Sequence, residues 1–545
     1  MRIFRWLAVA ALLLASAPSA SATTWFFSPS GNDSTGTGTS GAPWAWAGAH
    51  TVYQPGDILR FAAGSYTETD ASNMTLKASG TALLPIHLAC ATNLGCTITN
   101  TSASQSGIFL TGGASYWDIG GQGGFVITQS GANATANGIF ISGNGGAPYG
   151  AIHHITVQNN VISGMSGACI SVGGNNNNGL AVDYITIKNN IAFNCARQSG
   201  FHTSGISIYQ PIIYDILPGY HYQIVGNISY FNNDCDSCGN PTDGNGLIMD
   251  DFMWAQSPGT PYVGASLIAD NLIFNNGGRG IHLFSSPKSA RLDVIHNTVC
   301  GNNTDSHVTG STTYEIGVNT GYGGAAGQVN GGNVGIYNNI VIATALNNVS
   351  LPFTSSGSTA SGSYQLVLNS VAGITGGMTV SGLNVVPGTL TYGVSSGTTI
   401  QLNQGTAGVL PTGTAITISN PIYALGENGN GGGEPNEPTN DLMDWNYVSA
   451  VNGQNGIIYG TDDNNSFTFG SHNKYGTAPG LTCPTFTTLQ PFATLVAAAT
   501  PAAGSAPLLS GTPLRTYPTD INGKARVAWH NDGKNTDMGA VQVSP

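Results

Sequence analysis

Charged side chains are scarce in this sequence. Its 545 residues include 14 lysines and arginines and 26 aspartates and glutamates, so 7% of the chain is charged, against about 25% in an ordinary soluble domain. This scarcity excludes coiled coils and helical bundles, which need Glu, Lys and Arg at high density. The formal net charge of −12 also argues against a nucleic-acid-binding protein, because such proteins present a basic surface.

Long apolar runs are also missing beyond the first residues. Residues 1–22 contain Arg2 and Arg5, an apolar run over 7–14 and the small residues Ala20-Ser21-Ala22, which is the pattern of a cleaved secretory signal peptide. The run is much shorter than the ~20 apolar residues of a membrane-spanning helix. We therefore expect a protein without a membrane span that is secreted to the cell exterior or the periplasm.

Cysteines are few but even in number. Export permits disulfides among the eight cysteines, and three pairs lie close enough in sequence to be bonded locally. Cys235-Asp-Ser-Cys238 also has the spacing of a redox or zinc motif, but the exported compartment favours a disulfide. The three pairs are Cys90 with Cys96, Cys169 with Cys195, and Cys235 with Cys238.

Glycine, by contrast, is abundant, with 77 residues, and it opens most copies of a repeated phrase. The copies are spaced 31 to 41 residues apart: Gly107-Ile-Phe-Leu, Gly138-Ile-Phe-Ile, Cys169-Ile-Ser-Val, Gly205-Ile-Ser-Ile, Gly246-Leu-Ile-Met, Gly280-Ile-His-Leu and the degenerate Glu315-Ile-Gly-Val. A second phrase, an Asn turn followed by an apolar or β-branched residue, alternates with the first. Its copies are Asn159-Asn160-Val, Asn189-Asn190-Ile, Gly226-Asn227-Ile, Asp270-Asn271-Leu, His296-Asn297-Thr and Asn338-Asn339-Ile.

Two phrases in fixed alternation predict an all-β, right-handed parallel β-helix. Short strands of period 2 bury alternate side chains, so Ile281 and Leu283 are expected inward and His282 and Phe284 outward. Asn tolerates the left-handed backbone of a turn and can stack into a hydrogen-bonded ladder along the coils. A single coil cannot bury its apolar face, so the coils must stack. A two-sheet sandwich would not repeat the same two phrases in this order.

We predict that the chain is divided into four regions. They are a signal peptide at 1–22, an N-terminal cap and β-helix at 23–345, a small Ser/Thr/Gly/Val-rich β insert at 346–422, and returning coils with a tail at 423–545.

Several of these phrases together resemble secreted right-handed β-helix polysaccharide lyases, particularly the family 9 pectate-lyase-like group. They are Phe27-Ser-Pro-Ser-Gly-Asn-Asp, Pro55-Gly-Asp-Ile, Asp243-Gly-Asn-Gly and Asp537-Met-Gly-Ala-Val. The resemblance implies a lyase that uses calcium held by aspartates and a lysine as the base. Ile248 stands at the position of that lysine, so the family's base is missing there.

Aligning the repeats places the scarce charged residues in outward-facing columns on three successive coils. Ser204, Asn245 and Arg279 form one column. His202 and Asp243 form a second. Ser207, Ile248 and His282 form a third, and Tyr209, Asp250 and Phe284 a fourth. We predict that catalysis uses Asp243, Asp250, Arg279 and His282. Substrate binding is predicted for His202, Tyr209, Asn245, Lys288 and Trp254, and metal binding for Asp234 and Asp251.

This cluster leaves three functions open. In a lyase that acts on an acidic polysaccharide, a cation such as Ca²⁺ neutralises a uronate carboxylate, and a base from His282, Arg279 or Lys288 removes the neighbouring proton. In a glycoside hydrolase, Asp243 with Asp250 or Asp251 acts as the acid–base pair. The third function is that of a non-catalytic glycan-binding protein or surface adhesin, and the insert at 346–422 supports it because the insert resembles repetitive β-modules of surface and fibre proteins. Trp254, with Phe252, either stacks on sugar or packs its own loop.

Overall fold

The computed structural model describes residues 22–143, 150–173, 180–239, 241–254, 256–257, 259–284, 290–305, 308, 313–319, 333–343, 350–372, 374, 378–386, 389, 391–402, 404–419, 422–427, 442–444, 446–450, 468–469, 474–475, 481–501 and 520–522. The signal peptide predicted at 1–22 lies outside these residues except for Ala22. Lys288 and the closing phrase at 537–541 lie outside them as well.

The repeated phrases form the strands of three long parallel sheets, here named A, B and C, which contain most of the described strands. Strands of one sheet come from successive coils and pair in parallel, as Ile139 with Ile108 and Ile170. Alternate side chains point inward into one continuous apolar core, in which Ile139, Ile141, Ile281 and Leu283 are fully buried. The right-handed parallel β-helix expected from the repeats is confirmed.

Sheet A begins at the N-terminus. Its described strands are Thr24–Phe27, Ile58–Phe61, Ile86–Cys90, Trp117–Ile119, Ile152–Gln158, Val182–Lys188, Tyr220–Val225, Ala265–Ala269, Arg291–Ile295, Asn333–Tyr337, Leu442–Asp444 and Thr468–Phe469.

Sheet B is built from the glycine-led phrases. Its described strands are Met74–Leu76, Ile108–Leu110, Ile139–Ser142, Ile170–Gly173, Ile206–Tyr209, Leu247–Asp250, Ile281–Phe284, Thr313–Asn319 and Ile422–Glu427.

Sheet C follows the Asn turns. Its described strands are Gly64–Glu68, Cys96–Asn100, Phe125–Gln129, Val161–Ser163, Ile191–Phe193, Ile228–Tyr230, Leu272–Phe274, Thr298–Cys300, Ile340–Ala343, Tyr447–Ala450 and Lys474–Tyr475.

The Asn turns between sheets A and C form the expected ladder. The first residue of each turn has a left-handed backbone, with φ of +60° at Asn159 and +56° at Asn189. The second residue is a buried asparagine whose side-chain oxygen accepts the backbone N–H of the ladder asparagine one coil earlier, at 2.8–3.1 Å. The ladder consists of Asn160, Asn190, Asn227, Asn271, Asn297, Asn339 and Asn446.

The region predicted as an insert contains two antiparallel sheets with their own apolar core. One sheet contains Ser350–Thr354, Thr379–Gly382 and Ala415–Ser419, and the other contains Gln365–Val367, Thr391–Ser396 and Thr399–Leu402. The chain then returns to the solenoid, because Ile422–Glu427 pairs with Thr313–Asn319 of sheet B.

Disulfides join all three predicted cysteine pairs. A fourth disulfide, Cys300–Cys483, ties sheet C to the segment 481–501. This segment carries the helix Phe492–Ala498, whose Leu495 and Val496 pack in an apolar cluster with sheet C residues. Two short 3₁₀ helices, Ala47–Ala49 and Asp236–Cys238, complete the described helices. None of the described helices combines the length and apolar character that a membrane crossing requires.

Candidate active site

A groove of about 490 Å³ lies on the outward face of sheet B. It crosses four successive strands, from Phe140 and Ser142 through Ser171 and Ser207 to Asp250. Most of its described lining is hydroxyl, amide or aromatic, and that lining contains no lysine or arginine. Three predicted site residues, His202, Tyr209 and Asp250, lie in the groove.

The strand register agrees with the columns predicted from the repeats. Ser207 pairs with Ile248 and Ile248 with His282, and Tyr209 pairs with Asp250 and Asp250 with Phe284. The column that begins at Ser204 is joined by hydrogen bonds. The Asn245 side-chain amide donates to the Ser204 hydroxyl at 3.0 Å, and the backbone N–H of Arg279 donates to Asn245 Oδ1 at 2.8 Å. Asn245 is fully buried, so it organises the coils beside the groove.

His202 is positioned in the groove by Asp234. Asp234 is 1% exposed, and its Oδ2 atom lies 3.0 Å from His202 Nδ1. A carboxylate accepts hydrogen bonds, so Nδ1 donates to Asp234, and the neutral imidazole then holds its lone pair on Nε2. The His202 side chain remains 27% exposed. The two residues therefore form a buried carboxylate–imidazole pair with the imidazole at a groove, an arrangement suited to a general base.

Asp250 and Asp243 form an electrostatically coupled pair of carboxyl groups. Burial raises the pKa of Asp250 well above its usual range, and the charges of Asp243 and Asp251 raise it further. Burial also raises the pKa of Asp243 to about 7, together with the charge of Asp234 and against the opposing charge of Arg279. Both shifts favour the protonated form of the carboxyl group. Asp250 lines the groove, whereas Asp243 is buried and does not.

Arg279 and His282 point outward from the solenoid, as predicted, but both are buried, at 7% and 5% exposure. Burial lowers the pKa of Arg279, while Tyr314 and Asp243 raise it. The His282 ring packs edge-on against Phe284, with centroids 5.6 Å apart. Neither residue is part of the described groove lining. Their assignment to catalysis stays a prediction, and packing in the folded chain buries both side chains.

Asp251 and Trp254 are also buried, at 0% and 7% exposure. Gln210 Nε2 and the backbone N–H of Gln256 both donate to Asp251 Oδ2, at 2.5 and 3.0 Å. The Trp254 indole N–H donates to the carbonyl of Pro211 at 3.1 Å. The 7% exposure of Trp254 favours the packing role over sugar stacking, and its assignment to substrate binding stays a prediction.

Asp234, one of the two aspartates predicted to bind calcium, already uses both carboxylate oxygens in hydrogen bonds within the protein. Asp234 Oδ1 accepts a hydrogen bond from the backbone N–H of Cys235 at 2.8 Å. Asp234 Oδ2 accepts hydrogen bonds from the backbone N–H groups of Thr242 and Asp243, at 2.7 and 2.9 Å. The same Oδ2 atom also contacts His202. Calcium takes 6–8 oxygen ligands, and these oxygens already serve the protein's own donors. Among the described residues, no group of three or more His, Cys, Asp or Glu side chains is arranged to hold a metal ion.

Three aromatic residues near the groove were missed by the sequence reasoning. Phe140 and the 79% exposed Phe201 line the groove. Phe109 stacks on Phe140, with ring centroids 5.2 Å apart and planes at 12°. Phe109 and Phe140 occupy the outward position of the first two glycine-led phrases, so the repeat alignment already contained the signal for them.

Solved structures similar to this chain include three polysaccharide lyases. Pectate lyase Pel9A is 15% identical, with 96% of each chain covered and a TM-score of 0.46. A rhamnogalacturonan lyase is 13% identical over 58% of this chain and 82% of its own, with a TM-score of 0.37. A mannuronic acid specific family 6 lyase from human gut microbiota is 9% identical over 83% of each chain, with a TM-score of 0.32. No protein-family model and no curated protein matches the sequence.

Proposed function

We propose that this protein is an exported polysaccharide lyase that cleaves a uronate-containing polysaccharide by β-elimination in the groove of sheet B. The observation that carries the proposal is the His202–Asp234 pair. It places an imidazole with a defined tautomer at a groove whose other described walls carry sugar-binding hydroxyl, amide and aromatic groups. Four disulfides pair all eight cysteines, which supports export into an oxidising compartment.

The groove supports elimination better than hydrolysis by paired aspartates. A glycosidase needs two carboxyl groups that flank the scissile bond. Among the described residues that line the groove, Asp250 is the single carboxyl group, because Asp243 is buried outside it. A lyase needs a base, a neutralised substrate carboxylate and a proton for the leaving oxygen. Groove residues are available for all three roles.

His202 is the base in this proposal. Its Nε2 atom removes the proton from the carbon next to the uronate carboxylate, and the resulting imidazolium is stabilised by the Asp234 carboxylate. The electron pair forms a carbon–carbon double bond, and the bond to the glycosidic oxygen breaks. No water is consumed, so one product carries an unsaturated uronate at its new end.

Asp250 and Tyr209 supply the other two roles. Burial and the charges of Asp243 and Asp251 raise the pKa of Asp250, which favours its protonated form. In that form the carboxyl group can donate a hydrogen bond to the uronate carboxylate and reduce its charge. In this proposal Asp250 reduces the charge of the uronate carboxylate, a role that was predicted for calcium from the sequence. Burial, Asp250 and Asp251 raise the pKa of Tyr209 to about 12, so its phenol stays protonated and can donate to the leaving oxygen.

The test is digestion of a panel of uronate polysaccharides, followed by the ultraviolet absorbance of unsaturated uronate. We expect wild-type protein to produce this absorbance and His202→Asn to lose at least about 100-fold in kcat. The matched control is His87→Asn, because His87 also pairs with an aspartate, Asp118, at 3.0 Å but lies in sheet A, away from the groove. Equal loss in both variants, or full activity of His202→Asn, would contradict the assignment.

A further inference from the structure

A second feature of the groove lies at the end remote from Asp250. Phe140 is on the outward face of the strand Ile139–Ser142, and three coil-to-coil steps separate this strand from the strand that ends at Asp250. With strands about 4.8 Å apart, the two ends of the groove are about 14 Å apart. That span is longer than a disaccharide, so only a longer chain can reach both ends.

The remote end is aromatic and uncharged. Phe140 is half-buried, and Phe109 of the preceding coil stacks on it, with ring planes at 12°. This stacking holds the Phe140 ring in place, so little side-chain entropy is lost when a ligand binds. Thr135, Asn137, Ser142 and Ser171 line the groove nearby and offer hydroxyl and amide partners. The described residues at this end include no charged side chain.

We infer that Phe140, supported by Phe109, forms a sugar-binding subsite that stacks on one pyranose ring of a polysaccharide lying along the solenoid axis. A pyranose presents an apolar C–H face, and aromatic rings gain contact area from such faces. The polar neighbours contact sugar hydroxyls. The subsite therefore recognises the length of the chain and the face of a sugar rather than its carboxylate. The substrate assignment rests on the proposed function, and the subsite makes the enzyme prefer long chains.

The test compares Phe140→Ala with wild type on uronate oligomers of increasing length. We expect kcat/KM to fall about tenfold on chains long enough to reach Phe140 and to stay unchanged on disaccharides. Phe140→Tyr keeps the ring and should behave as wild type. The matched control is Tyr364→Ala, an aromatic residue of the insert that is 54% exposed and lies outside the groove.

A second variant and a binding measurement keep the subsite testable if Phe140→Ala misfolds or no substrate is cleaved. Phe140→Leu keeps an apolar side chain of similar length but removes the ring, and it should reduce kcat/KM on long oligomers as Phe140→Ala does. Affinity electrophoresis in uronate polysaccharides measures binding without catalysis. No cleavage by wild type, with weaker retention of Phe140→Ala than of Tyr364→Ala, would overturn the proposed function and support the subsite. Cleavage with identical length dependence in wild type and Phe140→Ala would overturn the subsite alone.

Discussion

At the scale of single residues, the site depends on how a buried carboxylate orients an imidazole. Asp234 makes three backbone hydrogen bonds besides its contact with His202. It is therefore a positioning residue that acts through His202 rather than on the substrate. The sequence indicated both residues, but as a metal ligand and a sugar contact, because the alignment could not show that one faces the other.

Asp234→Asn tests this positioning role. Asparagine preserves an oxygen acceptor for the backbone but removes the negative charge that stabilises the imidazolium. We expect kcat to fall about 100-fold with KM nearly unchanged. A purely structural role for Asp234 would instead raise KM and lower the thermal unfolding midpoint together with the loss in kcat.

Asp243→Asn tests the electrostatic coupling between Asp243 and Asp250. The Asp243 charge is one of the causes that raise the pKa of Asp250, so its removal should lower that pKa. Asp250 then loses its proton at lower pH and repels the uronate carboxylate. We expect the alkaline limb of the kcat/KM profile to move to lower pH in this variant. An alkaline limb that stays where it is in wild type would contradict the role given to the protonated Asp250.

At the scale of the elements, the Asn ladder fixes the turn between sheets A and C. Asn227 is 1% exposed, and its side-chain oxygen accepts the backbone N–H of Asn190 at 3.0 Å. Its side-chain amide donates to the carbonyl of Ile187 at 2.8 Å and to Asn271 Oδ1 at 3.1 Å. One substitution in this ladder therefore leaves buried polar groups on two neighbouring coils without partners.

Asn227→Ala should reduce the free energy of unfolding by about 2–4 kcal/mol, because buried N–H and C=O groups lose their hydrogen bonds. Asn189→Gly is the matched control. Asn189 is exposed and has a φ of +56°, which glycine adopts readily, so we expect a change within about 0.5 kcal/mol. Urea unfolding followed by circular dichroism measures both values. Similar losses in the two variants would show that the ladder contributes little.

The repeats predicted the strands and their register well, because each coil must bury the same alternating positions. They placed Tyr209 beside Asp250 and Ile248 beside His282, as the structure has them. The repeats could not predict which outward-facing side chains are buried by other parts of the protein. His282 and Ile248 point outward but are buried, since tertiary packing rather than strand periodicity decides their exposure. The burial of Arg279 has the same origin.

At the scale of the whole molecule, the chain has few charged residues, and the solenoid buries some of its acidic side chains. Glu68 and Glu315 are fully buried in the described chain. Burial raises the pKa of Glu68 to about 9 and that of Glu315 to about 8. Glu315 accepts two hydrogen bonds from Asn302, at 2.9 and 2.6 Å, and so supports a neighbouring coil.

These buried acids predict that the protein is more stable in mild acid than in mild alkali. Their folded-state pKa values exceed the unfolded values, so these two groups bind more protons in the folded state than in the unfolded chain between about pH 4.5 and 9. Stability therefore falls as pH rises through that window. We expect the thermal unfolding midpoint to decrease from pH 5 to pH 9, and the decrease to be smaller in Glu68→Gln and Glu315→Gln. A midpoint that rises over this range would contradict the prediction.

The central claim is that a polysaccharide in the groove of sheet B is cleaved by elimination rather than by hydrolysis. Digestion in water enriched in ¹⁸O, followed by mass spectrometry of the fragments, tests this claim most directly. We predict fragments that end in unsaturated uronate and carry no ¹⁸O introduced at the cleaved bond, with production abolished in His202→Asn. Saturated fragments that acquire one ¹⁸O atom per cleaved bond would contradict the account and identify a glycoside hydrolase.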